Sequence, residues 1–413
     1  MKRRTACLVL CVCLLLCLAL PVGASDGAEF SDRGEIRNVG AVQMLVDLGL
    51  ISGYSDGSFR PASYITREEV AKLIAILCTE NPQAPADVYF YDAQNSWALT
   101  YIGYCAGEGI IGGDGLGSFR PKDNVTAQEL AKMLLVILGQ DPYHEPETYS
   151  GAGWAERVNA DAQSFGIYYG LTAQVSQPVT RDNACLLIYN AMRCPAIADP
   201  DAQGLDRYVL DDLMNPRSYL EVRYDLTRYT AVLTGNEYAD LTTNDGKLAA
   251  GTTKLAGHKD FAVSSDLSLL GRTVDIYMKD GRVVGIPCYV TSEVYYTFEN
   301  AQALSKLLSG GALTIADDAQ YYLNYNEAGS EILTRSGVRL TVIDHDNDTQ
   351  LDTILAVNCE QAEISSVSPL RVKVGDEELD AEKYCLTDAF SAGERVWYME
   401  IGGQGFVQPR SET

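Results

Sequence analysis

Histidine is scarce in this chain, with only His144, His258 and His345 among 413 residues, and none stands in an HExxH, GxSxG or Cys/His pattern. Zinc hydrolase, serine hydrolase and cysteine protease chemistry therefore have no motif to stand on. Basic residues are also few, 32 Lys and Arg against 56 Asp and Glu, for a net charge of −24. Such a surface repels phosphate backbones, so nucleic acid is not expected as a partner. Long apolar runs are missing after Leu20, and the one before it, Ala6 to Leu20, falls short of the roughly twenty residues of a membrane span. Lys2, Arg3 and Arg4 precede that run, and Gly23, Ala24 and Ser25 follow it. This is the layout of a secretory signal peptide over residues 1–24, cut after Ala24. Its removal leaves a chain of net charge −27 with no expected membrane span. Cys17 follows Leu16 instead of the small residue that lipidation requires.

Four of the eleven cysteines, Cys7, Cys11, Cys13 and Cys17, lie in that leader. The remaining seven include no CxxC pair, and an odd number leaves one thiol over from any full disulfide framework. Buried free thiols on apolar stretches are expected at Cys78, Cys105 and Cys185. With 46% hydrophobic and 21% charged residues, the chain has material for more than one core.

What the sequence does contain is a repeat. The segment "GLISGYSDGSFRPASYITREEVAKLIAIL" from residue 49 aligns without a gap on "GIIGGDGLGSFRPKDNVTAQELAKMLLVIL" from residue 109. A worn third copy follows: Trp97 aligns with Trp154, and Pro178, Val179, Thr180 and Arg181 survive although the glycine turn is mostly gone. Each unit reads as two helices. Val42, Leu45 and Val46 form the stripe of a first helix that stops at Gly49. Val70, Leu73, Ile74 and Leu77 form that of a second, matched by Leu130, Met133, Leu134 and Ile137, then by Ala184, Leu187, Ile188 and Ala191. Thr66 with Glu69 and Thr126 with Glu129 have capping-box spacing, and Thr180 with Asn183 is a weaker form. Units that cannot bury their own apolar faces are expected to pack on one another. The expected boundaries are 28–80, 86–140 and 147–195, then a Pro- and Asp-rich junction at 196–216.

The succession of apolar helix, "GYSDGSFRP" and "ITREE" resembles the S-layer homology (SLH) domain, over about 165 residues. The resemblance implies a three-repeat, all-α helical prism that binds secondary cell-wall polysaccharide non-covalently, often at pyruvylated sugar ends. It implies polysaccharide-binding roles for Thr66, Arg67 and Glu69 in the first copy, for Tyr54 and Asp56 in its glycine loop, and for Arg181 in the third copy. An arginine fork beside a helix amino terminus with free N–H groups suits a sugar-borne carboxylate. Trp97 and Trp154 stand where they either wall the sugar face or belong to the core. The second copy has Ala127 in place of the arginine, which makes Arg67 the favoured anchor and Arg181 the next.

From residue 217 to 413 the composition turns to β-branched and aromatic runs, so the whole is expected to be multidomain, with one or two mainly-β modules after the helices. Lys279-Asp280-Gly281 marks a hairpin turn, and "NAQALSKLLSG" a single helix. In "IDHDNDTQLD", Asp344, Asp346, Asp348 and Asp352 occupy positions one, three, five and nine of a calcium-loop pattern. Thr349 replaces its glycine and Leu355 its final acid, so a polar hairpin tip explains the stretch equally well. Two functions remain in play. One is a secreted, wall-anchored surface protein whose β-rich part faces outward and self-associates in a surface layer or adheres. The other is a wall-associated hydrolase, which requires a pair of carboxylates in a cleft of the second half.

Overall fold

Six helices alternate with glycine- and proline-containing loops through the first half of the chain: α1 (Val39–Asp47), α2 (Arg67–Cys78), α3 (Leu99–Gly107), α4 (Ala127–Ile137), α5 (Trp154–Ser164) and α6 (Arg181–Met192). The computed structural model describes residues 30–85, 89–114, 116–139, 149–199, 201–290 and 292–410. The leader read at 1–24 and His144 fall outside the described residues.

The capping boxes form as the spacing predicts. The Thr66 hydroxyl accepts from the Glu69 amide while the Glu69 carboxylate accepts from the Thr66 amide, and Thr126 with Glu129 does the same. Thr180 accepts from the Asn183 amide only. Of the stripe positions named on the second helices, all are buried except Ile137, which is half-buried. Ile65, Val125 and Val179, each just before a cap, close a three-way ring of backbone bonds. The Ile65 amide donates to Val179 O (3.2 Å), Val179 to Val125 O (2.8 Å), and Val125 to Ile65 O (3.1 Å). The three helix pairs are thus tied head to tail around one point, and their stripes share one core.

The stretch 218–224, which opens the part expected to be mainly β from residue 217, is a helix, α7 (Tyr219–Tyr224). Ser218 and Glu221 form a third capping box there, and Asp225 ends the helix in the left-handed region. Local capping outweighs the β-propensity of its tyrosines and valine. The junction at 196–216 folds back on itself, with bridges from Pro195 to Ser218, Ile197 to Tyr208 and Leu210 to Pro216.

Three sheets follow. The first has the order β2-β1-β3-β4, from β1 (Thr227–Gly235), β2 (Lys254–Leu255), β3 (Thr273–Lys279) and β4 (Arg282–Tyr289). The Asp280-Gly281 turn joins β3 to β4, both residues having positive φ (50° and 77°) as a tight reversed turn demands. The second sheet, order β5-β8-β9-β6-β7, contains β5 (Val294–Phe298), β6 (Thr314–Leu323), β7 (Asn326–Glu327), β8 (Val338–Asp344) and β9 (Gln350–Asn358). The expected helix, α8 (Ala301–Ser309), packs on it with Asn300 as cap. The third, order β12-β11-β10-β14-β15-β13, uses β10 (Glu360–Val367), β11 (Leu370–Val374), β12 (Glu377–Asp380), β13 (Glu382–Lys383), β14 (Arg395–Ile401) and β15 (Gln404–Pro409).

The helices and the first sheet touch directly. Tyr277, Val284, Ile286 and Cys288 of β3 and β4 join the helical core. The Gly285 amide donates to Asp47 Oδ2 (2.8 Å), and Arg193 pairs with Asp275 (3.1 Å). The seven cysteines of the described residues are free thiols, Cys105 and Cys185 buried and Cys78 half-buried, and burial pushes Cys105 up to about 12 and Cys78 up to about 11.

Candidate functional site

The sequence places an arginine at the first position of α2 and of α6. The structure sends each into the glycine loop of the neighbouring repeat. Arg67 is only 5% exposed; its Nε donates to Phe119 O (2.9 Å) and its Nη2 to Gly112 O (2.9 Å), with its guanidinium over the Phe119 ring. Arg181 repeats the pattern, Nε to Phe59 O (3.0 Å) and Nη2 to Ser52 O (3.1 Å), over the rings of Tyr54 and Phe59. Tyr54 is held between two guanidinia, those of Arg181 (4.9 Å) and Arg60 (4.0 Å).

The residues expected to act together are thereby divided. Arg67 faces the second repeat, whereas Tyr54 and Asp56 belong to the loop that receives Arg181. Asp56 is engaged within that loop, accepting from Ser58 and from Arg60 Nη2 (2.7 Å), bonds that hold its carboxyl below the usual range. Glu69 is occupied by its cap.

The helix-start amides, expected to be free, are not. Arg67 N donates to Asp123 O (2.9 Å) and Glu68 N to Pro121 O (3.0 Å); Arg181 N donates to Ser63 O (2.8 Å) and Asp182 N to Pro61 O (3.2 Å). The loop before the neighbouring cap supplies the carbonyls that solvent or an anion would otherwise replace. In the second copy the amides of Ala127 and Gln128 meet Gln177 O and Val175 O in the same way. The architecture therefore persists where the arginine does not.

Two residues missed by the sequence reading, Glu68 and Asp182, complete these interfaces. Glu68 is buried and accepts from Ser96 Oγ (2.7 Å), Trp97 Nε1 (2.7 Å) and Lys122. Burial opposes its ionisation, but the bonds from Lys122, Ser96 and Trp97 outweigh that and hold its carboxyl below the ordinary glutamate range. Asp182 accepts from the amides of Arg37 and Asn38 and from Asn38 Nδ2 (2.9 Å), while burial pushes it up. A signal was available: an acid follows the motif arginine at 68 and 182, and Gln128 follows Ala127 where the arginine is lost.

Trp97 is 55% exposed beside Lys122, whose side chain is also largely exposed. Trp154 is half-buried against the core, with Lys132 Nζ over its ring (5.6 Å). At the interface of the first two helix pairs the exposed indole of Trp97 and the exposed ammonium of Lys122 thus meet on the buried Glu68 carboxylate, next in sequence to the buried Arg67. At the interface of the third and first helix pairs Arg181 lies over Tyr54, and the exposed Tyr64 bridges Thr180.

The S-layer homology domain family model matches residues 29–71 and 89–131. The chain carries S-layer homology repeats. Each matched SLH segment spans the first helix of a pair and the start of the second, in the first two pairs; the third pair lies outside them. The Bacillus anthracis S-layer protein EA1 is 31% identical over 96 residues, 23% of this chain and 11% of that protein. A surface-layer 125 kDa protein of Lysinibacillus sphaericus is 32% identical over 175 residues, 39% of this chain and 15% of that protein. An uncharacterized cell wall amidase of Bacillus anthracis is 36% identical over 85 residues, 21% of this chain and 16% of that protein. The chain thus spans less than a fifth of each relative, and the amidase likeness covers the SLH region alone. The SLH repeats and these relatives indicate a protein of the cell surface and cell wall. No described helix is long and apolar enough to cross a membrane.

In the β8–β9 turn, Asp344, Asp346 and Asp348 bring carboxylate oxygens within 4.8 Å of one another. Asp344 already accepts from the amides of Asp348 (3.1 Å) and Thr349 (2.8 Å), and Asp352 accepts from the His345 amide (2.7 Å). Asp352 is not among the three whose oxygens converge, although its charge acts on Asp346.

Proposed function

We propose that the SLH repeats hold this chain non-covalently on secondary cell-wall polysaccharide, and that the β-rich part faces outward in a surface layer or as an adhesion module. The observation that carries the reading is the interface of the first two repeats, where Trp97 and Lys122 are exposed and both bond the buried Glu68. An aromatic face beside an ammonium suits a sugar that bears a carboxylate, such as a pyruvate ketal. The third helix pair acts as a third repeat of the same prism in this reading, with Arg181 serving the second interface. Ala127 leaves the remaining interface without an arginine.

The test is retention of the protein on purified cell-wall sacculi. Trp97→Ala and Lys122→Ala are each expected to weaken retention; because each also withdraws a donor from buried Glu68, retention is read at a temperature where circular dichroism shows the variant folded. Retention that survives removal of the wall polysaccharide, or that ignores both substitutions, sinks the proposal. Calcium at Asp344, Asp346 and Asp348 is a secondary reading, favoured by the convergence of their oxygens. A calcium titration that leaves the unfolding midpoint unmoved removes it.

A further inference from the structure

A cavity of about 610 Å³ opens where the helical repeats meet the sheets, within the size range of small-ligand sites. One part of its lining is a ladder of planar groups. The Arg272 guanidinium lies 4.3 Å from the ring centres of both Tyr289 and Tyr295, and Tyr169, from the third helix pair, meets Tyr289 edge-on at 6.3 Å. The ladder is held from behind, because Arg272 Nε donates to the fully buried Glu293 carboxylate (2.7 Å), which also accepts from the Thr273 amide. Its outer members remain accessible, Tyr169 at 46% and Tyr295 at 43%.

Asp266 and Asp388 line the same cavity. Asp266 is oriented by Ser268 Oγ (2.6 Å) and the Leu386 amide (3.2 Å). The charges on the lining narrow the ligand class. Arg193, Arg272 and Arg339 are already paired with Asp275, Glu293 and Glu299, and the fourth lining guanidinium, the exposed Arg37, is outnumbered by Asp266 and Asp388, so the lining offers a phosphate or sulfate little unspent positive charge and the two aspartates repel one. Those guanidinia equally disfavour a polycation. What remains is a neutral ligand with an apolar face and many hydroxyls. Pyranose rings stack their C–H faces on tyrosine, and carboxylates accept from vicinal hydroxyls.

We propose that this cleft is a second carbohydrate site, distinct from the SLH repeat interfaces, in which a neutral glycan stacks on Tyr169 and Tyr295 and donates hydroxyls to Asp266 and Asp388. A glycan there touches both the anchoring helices and the outer sheets.

The test is calorimetric titration of the full chain with chitotetraose and with cellotetraose, which present β-linked pyranoses with and without acetamido groups. At least one is expected to bind, and Tyr295→Ala and Asp388→Asn are each expected to weaken it by about tenfold or more. Asp388→Asn keeps the shape of the side chain, so a folded variant is available even if Tyr295→Ala unfolds. Absence of binding by the parent overturns the proposal, as does binding indifferent to both substitutions. Binding abolished by Trp97→Ala assigns the oligosaccharide to the SLH repeat interface and overturns the cleft, whereas loss of sacculus retention with cleft binding intact bears on the wall-anchoring reading alone.

Discussion

Arg67 shows how one side chain serves as framework for a surface it barely reaches. Its two donors hold the carbonyls of Phe119 and Gly112, so Arg67→Ala leaves both buried acceptors short of a partner. The expected loss is about 2–3 kcal/mol, measurable by denaturant unfolding; no change in midpoint contradicts this role. Thr66→Ala removes a cap that is also part of a reciprocal box and is expected to cost about 1 kcal/mol. Asp388 gives a pH signature. Burial, and then the neighbouring Asp266 charge, push it up to about 6 from its ordinary 3.8, while Lys383 and Arg339 act in the opposite direction. A carboxyl raised in the folded state stabilises below its unfolded pKa, and that contribution is lost as pH rises through about 6. Asp388→Asn is therefore expected to raise stability at pH 7.5 relative to the parent, with the gain shrinking toward pH 4; a gain that is equal at both pH values excludes the titration.

At the scale of elements, the glycine loops separate residues that look interchangeable in sequence. A Cβ on Gly53 falls 2.6 Å from Phe30 and 2.9 Å from Ser58 O, and one on Gly113 falls 2.5 Å from Ser118 O and 2.7 Å from Phe90. A Cβ on Gly112 meets nothing within 4 Å, and its φ is not positive. Gly53→Ala and Gly113→Ala are expected to lower stability by about 1–3 kcal/mol and Gly112→Ala to leave it nearly unchanged, as read by thermal unfolding. Equal effects at all three positions contradict the close packing of the loops. The capping boxes and the Asp280-Gly281 turn were legible because each is a local contract between residues three or fewer apart. The helix at 219–224 carries the same signature in Ser218 and Glu221, but its β-branched and aromatic composition points to a strand, and the structure shows the cap prevailing.

Across the whole molecule, helices and sheets are bound by the Arg193 pair with Asp275 and by Gly285 on Asp47, while Arg223 Nε on Leu77 O (2.8 Å) ties α7 to α2. Breaking a buried pair by removing one partner typically costs about 3–5 kcal/mol. Arg193→Met is expected to lower the calorimetric midpoint and to separate the unfolding of helices from that of sheets; a single undisplaced transition excludes this junction as a source of stability.

The sequence by itself determined the repeat, the helix caps, the apolar stripes and the hairpin turn, since periodicity and short-range hydrogen bonding are written within a few residues of each other. It also marked Arg67 and Arg181 as special. The destination of those arginines was a tertiary decision. The ring through Ile65, Val125 and Val179 sets each helix start against the next repeat, so the amides that look free are satisfied by carbonyls some 50 or more residues away. Tyr54 and Asp56 consequently join Arg181 across the chain, and Glu68 reaches Trp97. The cleft at the junction likewise depends on Tyr169 meeting Tyr289 and on Asp266 meeting Asp388, pairs that no local spacing connects.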